Sequence, residues 1–328
     1  MSTSEQPILS LGLVGIGGAG QRLLEAAAET AYTGIRATVS PDSEMDKRSG
    51  ITAAESYTEL LRSTDINAVY LATPVHTHVA LALRALQAGK HVLIEKPLGL
   101  TLKDIAPLLK ISGGTQIAGT AVKKRFGEGI DRFRSMGWSL GANARIAYRW
   151  HIPPPPSSDW RYRPELSGGG VIMDLGSHVI DLLEYLIGPI SRVKARTENG
   201  LGACLVESFA AIELDFLAGG IASIELSWHS TSASYEFTIE NGSNRFCQSC
   251  LNSQEDQYWL SDSHGTRYFV GKRSAEYSGL LLAFDRAVRA QEHRLPSLHD
   301  GARNVTTIET IYRSAASNQP MDLQLRRC

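Results

Sequence analysis

Residues 168–181 read Gly-Gly-Gly-Val-Ile-Met-Asp-Leu-Gly-Ser-His-Val-Ile-Asp, and this stretch holds the side chains best spaced for proton chemistry. Read as a helix from Val171 to Ile187, it stacks Asp174, His178 and Asp181 on one face, with Ser177 and Glu184 beside them. An amphipathic helix with its polar face in water is the plain account. Against it, residues 171–187 contain neither Lys nor Arg, which a solvated stripe ordinarily carries. A carboxylate one turn before a histidine raises its pKa toward physiological pH, and such an imidazole can exchange a proton with an alcohol or a carbonyl. A second candidate is Lys96 in Glu95-Lys96-Pro97, a cation held between an apolar run and a proline.

A third stretch would bind rather than react. Gly15-Ile16-Gly17-Gly18-Ala19-Gly20 follows an apolar run and opens a helical period, giving G-x-G-x-x-G in a strand-turn-helix context. The first glycine permits the tight turn, the second lets backbone approach a pyrophosphate, and the third packs helix on strand. Free N–H groups at the helix start complete an anion site. Flavin and methyl-donor enzymes use related loops, but a nicotinamide dinucleotide is the favoured ligand. Near the end of the next strand, where a carboxylate would grip the ribose of NAD, stands Ser40. Asp42 and Glu44 follow, while Arg36, Lys47 and Arg48 are cations able to meet a 2'-phosphate. A hydroxyl does not repel that phosphate, so NADP is preferred over NAD.

These residues need a scaffold. Apolar runs at Ile8–Ile16, Ile35–Val39, Ala68–Ala72, His91–Ile94 and Ile117–Val122 alternate with helix-period segments, which predicts a doubly wound parallel sheet of five strands. Ligands bind beyond the carboxyl ends of such strands, where Thr73, Pro74, Glu95 and Lys96 fall. The expected cofactor contacts are Gly15, Gly17, Gly18, Ala19, Gly20, Ser40, Thr73, Pro74, His78, Glu95 and Lys96. His76 and His78 lack a nearby third ligand, and no metal is expected. Beyond residue 122 the period changes to strict alternation, as in Ile212, Leu214 and Phe216, then Ala222, Ile224, Leu226 and Trp228 after a Gly-Gly turn. This predicts a mostly antiparallel sheet, with a helix at 171–187 and a helical tail from about Asp300 to Ser314. The domains expected are 1–122 for the dinucleotide and 123–328 for the substrate.

Composition narrows the classes. The chain has 328 residues, 43% of them hydrophobic and 20% charged, enough for two cores. Thirty-three Lys and Arg against 34 Asp and Glu leave a net charge of -1, which removes the electrostatic case for nucleic acid. No apolar run approaches the roughly 20 residues that span a bilayer. The opening MSTSEQP has no basic or apolar leader character, so a cytoplasmic protein is expected. The four cysteines, Cys204, Cys247, Cys250 and Cys328, are too few for a disulfide framework. Cys247 and Cys250 form a C-x-x-C just after the turn signal Asn241-Gly242, a poor place for a redox pair, which should open a helix.

Taken in order, Gly15–Gly20, Ala72-Thr73-Pro74, Glu95-Lys96-Pro97 and the Gly168–Asp181 stretch resemble the signature set of the glucose-fructose oxidoreductase and inositol dehydrogenase family (Gfo/Idh/MocA). The resemblance extends over essentially the whole chain, including Phe284 to Leu323. It implies a Rossmann domain joined to an α/β domain with a large open sheet, which often mediates oligomers. It implies that Lys96 contacts substrate oxygen and nicotinamide, that Asp174 binds substrate, and that His178 is the acid/base. The family commonly carries an amide before its R-F pair, whereas this chain reads Lys123-Lys124-Arg125-Phe126. That cation points to an anionic or strongly hydrogen-bonding substrate group.

The resulting expectation is an NAD(P)-dependent oxidoreductase acting on a secondary alcohol or ketone of a sugar, cyclitol or sugar derivative. Lys96, Asp174 and His178 would be catalytic. Lys123, Arg125, Trp150, Trp160 and Arg161 would bind substrate, with Arg149 and Arg163 as further pocket candidates. A homo-oligomer, dimer or tetramer, is expected. Two alternatives stand beside this reading: a non-catalytic dinucleotide-binding regulator, and an enzyme cleaving glycosides through transient oxidation.

Overall fold

The computed structural model describes residues 9–40, 51–111, 114–200, 205–291 and 293–323. Asp42, Glu44, Lys47 and Arg48, weighed above for the ribose, lie outside these residues, as do Cys204 and Cys328. The chain forms two compact units: residues up to Lys123 with Glu276–Ala302, and Lys124–Ala275 with the chain from Arg303 onward.

In the first unit the order is β1 (Leu9–Val14), α1 (Gly18–Ala28), β2 (Thr33–Val39), β3 (Thr52–Ala53) and α2 (Tyr57–Arg62). Then come β4 (Ala68–Leu71), α3 (His78–Gln87), β5 (His91–Glu95), α4 (Leu102–Ile111) and β6 (Ala118–Ala121). The strands make one parallel sheet in the order β3-β2-β1-β4-β5-β6, the doubly wound arrangement, with its switch point between β1 and β4. β1 and β4 are buried along their whole length because helices cover both faces, hence their unbroken apolar runs. The sixth strand, β3, escaped the sequence reading because it is two exposed residues with no apolar signal.

The second unit begins with α5 (Glu128–Ser135), β7 (Arg145–His151) and α6 (Pro164–Ser167), followed by a π turn at Ile172–Gly176 that runs into α7 (Ser177–Ile187). It continues through β8 (Ile190–Glu198), β9 (Phe209–Phe216), β10 (Ile221–Ser227), β11 (Ser234–Asn241), β12 (Asn244–Cys250), β13 (Glu255–Asp262) and β14 (Gly265–Lys272). After α8 (Ser274–Val288) and α9 (Leu298–Ser317), β15 (Met321–Asp322) ends the described fold. The nine-stranded sheet has the order β14-β13-β12-β11-β7-β10-β9-β8-β15. Its pairs are antiparallel except β7 with β10. In the β9–β10 hairpin, Ala222 faces Leu214 and Ile224 faces Ile212, so the alternating apolar set covers one face. The π turn lies on that face: a Cβ at Gly176 would come 3.2 Å from Leu226 Cδ1.

The expected single cut at 122 does not describe these units, because residues 276–302 return to the first. The edge of β6 explains this. Its Thr120 N–H donates to Pro296 O at 2.9 Å and Gly119 bridges to Ser297, so the returning segment covers backbone groups that an edge strand leaves unpaired. Tyr277, Leu280, Leu281 and Phe284 of α8 are buried with it.

Candidate functional site

The candidate side chains fall into two groups, one in each unit. In the first unit the glycines of the β1–α1 turn have separate surroundings. Gly15 has φ +88°, and a side chain there would run into Ala72 O at the end of β4. A Cβ on Gly20 would meet Gly15 O. Gly17 and Gly18 face open space, with nothing within 4 Å of a Cβ. Two glycines thus close the turn and pack the helix, while the middle pair leaves backbone N–H groups approachable. This open cradle fits a dinucleotide pyrophosphate. Ser40 follows the end of β2, whose Val39 O accepts from Gly15 N at 2.8 Å.

Beside the cradle, the loops after β4 and β5 are tied together by His78. Its ring nitrogens contact Thr73 O at 2.8 Å and Pro97 O at 2.9 Å, and the residue is fully buried. Burial lowers its pKa to about 4, outweighing the two carbonyls that would favour the cation. His78 is thereby not the direct cofactor contact expected from its position: with both nitrogens turned to backbone carbonyls, it holds the loops that carry Thr73, Pro74 and Lys96. Glu95 is buried and receives the Tyr70 hydroxyl at 2.6 Å on Oε1 and the Lys96 N–H at 3.2 Å on Oε2. Lys96 is half-buried, and its peptide bond to Pro97 is cis.

Lys123 belongs to this unit and to a different task from the one expected. Its Nζ sits 2.6 Å from Glu276 Oε2 and 4.6 Å from the centre of the Tyr277 ring. A carboxylate brought in by the returning segment therefore neutralises it.

In the second unit the polar helix face is turned inward. His178 is 7% exposed and Asp181 2%, which removes the solvated-stripe account. The Trp150 ring packs against the His178 ring, with centroids 5.8 Å apart. Arg161 Nε lies 3.5 Å from Asp174 Oδ1, its Nη1 pairs with Asp159 at 2.7 Å, and its guanidinium covers Trp160. Asp174, His178, Trp150, Trp160 and Arg161 thus share one unit, as does Lys124, the cation that stands directly before the Arg125-Phe126 pair. Lys124 is buried, its Nζ 5.2 Å from the Trp150 ring centre and 5.0 Å from that of Tyr235. A cation beside aromatic strand positions was legible only once β7 and β11 were known to pair, with Tyr235 opposite Trp150.

Two expected substrate contacts are corrected here. Arg125 makes a two-pronged ion pair with Asp181, Nε to Oδ2 at 2.7 Å and Nη2 to Oδ1 at 2.5 Å, both residues buried. Breaking such a pair to bind substrate would strand a buried charge. Arg149 alternates with Trp150 along β7, so it occupies the opposite sheet face, exposed and 3.8 Å from Glu236. Arg163 is exposed. Cys247 and Cys250 are unbridged, three residues apart on β12 and so on opposite faces.

Two family models match the chain: an oxidoreductase family with an NAD-binding Rossmann fold over residues 9–115, and the GFO/IDH/MocA C-terminal domain over residues 141–245. A dTDP-3,4-didehydro-2,6-dideoxy-alpha-D-glucose 3-reductase from Streptomyces violaceoruber is 33% identical over 190 residues, 53% of each chain. A 1,5-anhydro-D-fructose reductase from Ensifer adhaerens is 26% identical over 281 residues, 82% of this chain and 83% of that one. The chain spans about half the length of the first of these relatives. The fold matches that of a levoglucosan dehydrogenase solved with NADH, at TM-score 0.84 and 21% identity over 96% of this chain and 99% of the other. Open glycine cradle and doubly wound sheet are the features of the NAD-binding Rossmann fold that the first model describes. The chain belongs to the GFO/IDH/MocA family.

Proposed function

We propose that this protein is an NAD(P)-dependent oxidoreductase that interconverts a secondary alcohol and a ketone on a sugar, cyclitol or sugar-derived substrate. The observation that carries this reading is the polar face of the π turn and α7, which sets a buried His178 against the Trp150 ring and Asp174 beside the Arg161 guanidinium. Relatives named as reductases of keto-sugars support the substrate class. When bound, the dinucleotide supplies or accepts the hydride. His178 takes the hydroxyl proton on oxidation and returns it on reduction. Asp174 orients substrate, and Lys96 stabilises negative charge developing on the substrate oxygen. Trp150, Trp160 and Arg161 offer ring faces and a cation to the sugar.

Gly17 and Gly18 would hold the pyrophosphate, and the Ser40 position favours NADP because it brings no negative charge to a 2'-phosphate. A cytoplasmic location is part of this proposal. A homo-oligomer formed through the open sheet completes the proposal, to be checked by light scattering. The decisive experiment is a fluorescence titration with NADPH and NADH, followed by a panel of sugars, keto-sugars and cyclitols scored by nicotinamide absorbance. Indifference to both nucleotides would overturn the proposal.

A further inference from the structure

The segment carrying Asp174 and His178 begins in glycines and passes through a π turn, neither of which holds its own geometry. Gly169 has φ +155°, a conformation that only glycine adopts readily. The first turn of a helix also leaves its N–H groups without intrahelical partners. Here one residue distant in the chain takes three in succession. Glu207, just before β9, accepts from Gly170 N on Oε2 at 2.9 Å and from Ile172 N on Oε1 at 2.9 Å, while its backbone carbonyl accepts from Val171 N at 3.0 Å. The Tyr312 hydroxyl of α9 donates to the same Oε1 at 2.8 Å.

Glycines 169 and 170 are required by this arrangement: a Cβ on the first would run into the Tyr312 hydroxyl, and on the second into Glu207 O. Gly170 N–H, Ile172 N–H and the Tyr312 hydroxyl all donate to the carboxylate, and its charge complements the positive end of the helix dipole. Burial pushes its pKa up and these donors pull it down. A second residue of α9 holds the other end, Asn304 Nδ2 donating to Ser177 O at 2.8 Å.

We infer that Glu207 and Tyr312 are positioning residues that fix the π turn and thereby the placement of Asp174 and His178. The inference rests on the catalytic reading of His178, and its test separates the two. In the full-length protein, Tyr312→Phe removes one hydroxyl and keeps the ring, and Glu207→Gln puts an amide N–H against a backbone N–H. Three quantities are measured: kcat with the best substrate of the panel, NADPH affinity by fluorescence, and the His178 imidazole resonance, assigned by its loss in His178→Gln.

The expected result is a kcat lower by on the order of 10-fold or more, unchanged NADPH affinity, and a displaced or broadened His178 resonance. If Glu207→Gln does not fold, Tyr312→Phe carries the test alone. Folded variants with wild-type kcat and a wild-type His178 resonance would overturn the inference. Wild-type turnover in His178→Gln would instead overturn the catalytic reading, and the resonance alone would then decide whether Glu207 and Tyr312 position that side chain.

Discussion

Arg125 and Asp181 meet through two parallel hydrogen bonds of 2.7 and 2.5 Å with almost no solvent contact. This pair ties the chain just after β6 to the helix that bears His178. Removing one partner leaves the other charged and buried, a loss of about 3–5 kcal/mol. Asp181→Ala or Arg125→Ala should therefore lower the urea midpoint sharply. The double variant Arg125→Met/Asp181→Leu should recover most of the stability, and equal loss in single and double variants would contradict this account.

The glycine turn yields opposed outcomes from one methyl group. Gly17→Ala adds a Cβ where nothing lies within 4 Å, so Tm should stay near wild type while NADPH affinity falls. Gly20→Ala drives a Cβ into Gly15 O and should lower Tm before any ligand is added. Thermal unfolding with and without nucleotide reads both.

Lys96→Ala and His178→Gln should each reduce turnover by on the order of 100-fold or more, as loss of an electrostatic donor or a general acid does. Nucleotide affinity should remain close to wild type. Steady-state kinetics beside fluorescence titration checks the pair.

At the ribose end, Ser40→Asp places a carboxylate where a 2'-phosphate would lie. Repulsion of about 1–4 kcal/mol corresponds to roughly fivefold or more in relative affinity. The ratio of NADPH to NADH dissociation constants should move toward NADH by that factor, and an unmoved ratio would place the phosphate elsewhere.

His78 predicts a pH dependence of stability. Its folded pKa is about 4 against an ordinary 6.5, so between these values the unfolded chain binds more protons and stability falls as pH falls. The contribution is fully present above about pH 6.5 and lost by about pH 4, roughly 3 kcal/mol in all. Glu184 acts in the opposite sense over an overlapping range, because burial, opposed by Arg303, raises its carboxyl to about 7. The His78 term is therefore read as the difference between wild type and His78→Asn in urea unfolding at pH 7 and pH 5. That difference should shrink at the lower pH.

Much of the architecture was legible because it depends on local pattern. Period-two alternation in Ile212–Phe216 and Ala222–Trp228 could only be a half-buried hairpin, and the structure pairs those residues accordingly. The absence of Lys and Arg from 171–187 announced that the helix is not solvated. The π turn was not legible, since five residues of π geometry carry the same side-chain sequence as a regular helix.

The residue types at 15–20, 95–97 and 168–181 sufficed to locate a glycine turn between strand and helix, a lysine at a strand end and a helix face that is polar but not solvated, because each of those features is a matter of spacing along a few turns of chain. Which cation faces what was settled by folding. Lys123, Lys124 and Arg125 are consecutive and chemically alike, yet one pairs with Glu276, one lies over Trp150 and Tyr235, and one locks onto Asp181. Those partners come from segments up to 153 residues away, and a buried charge takes whatever counter-group packing delivers to it.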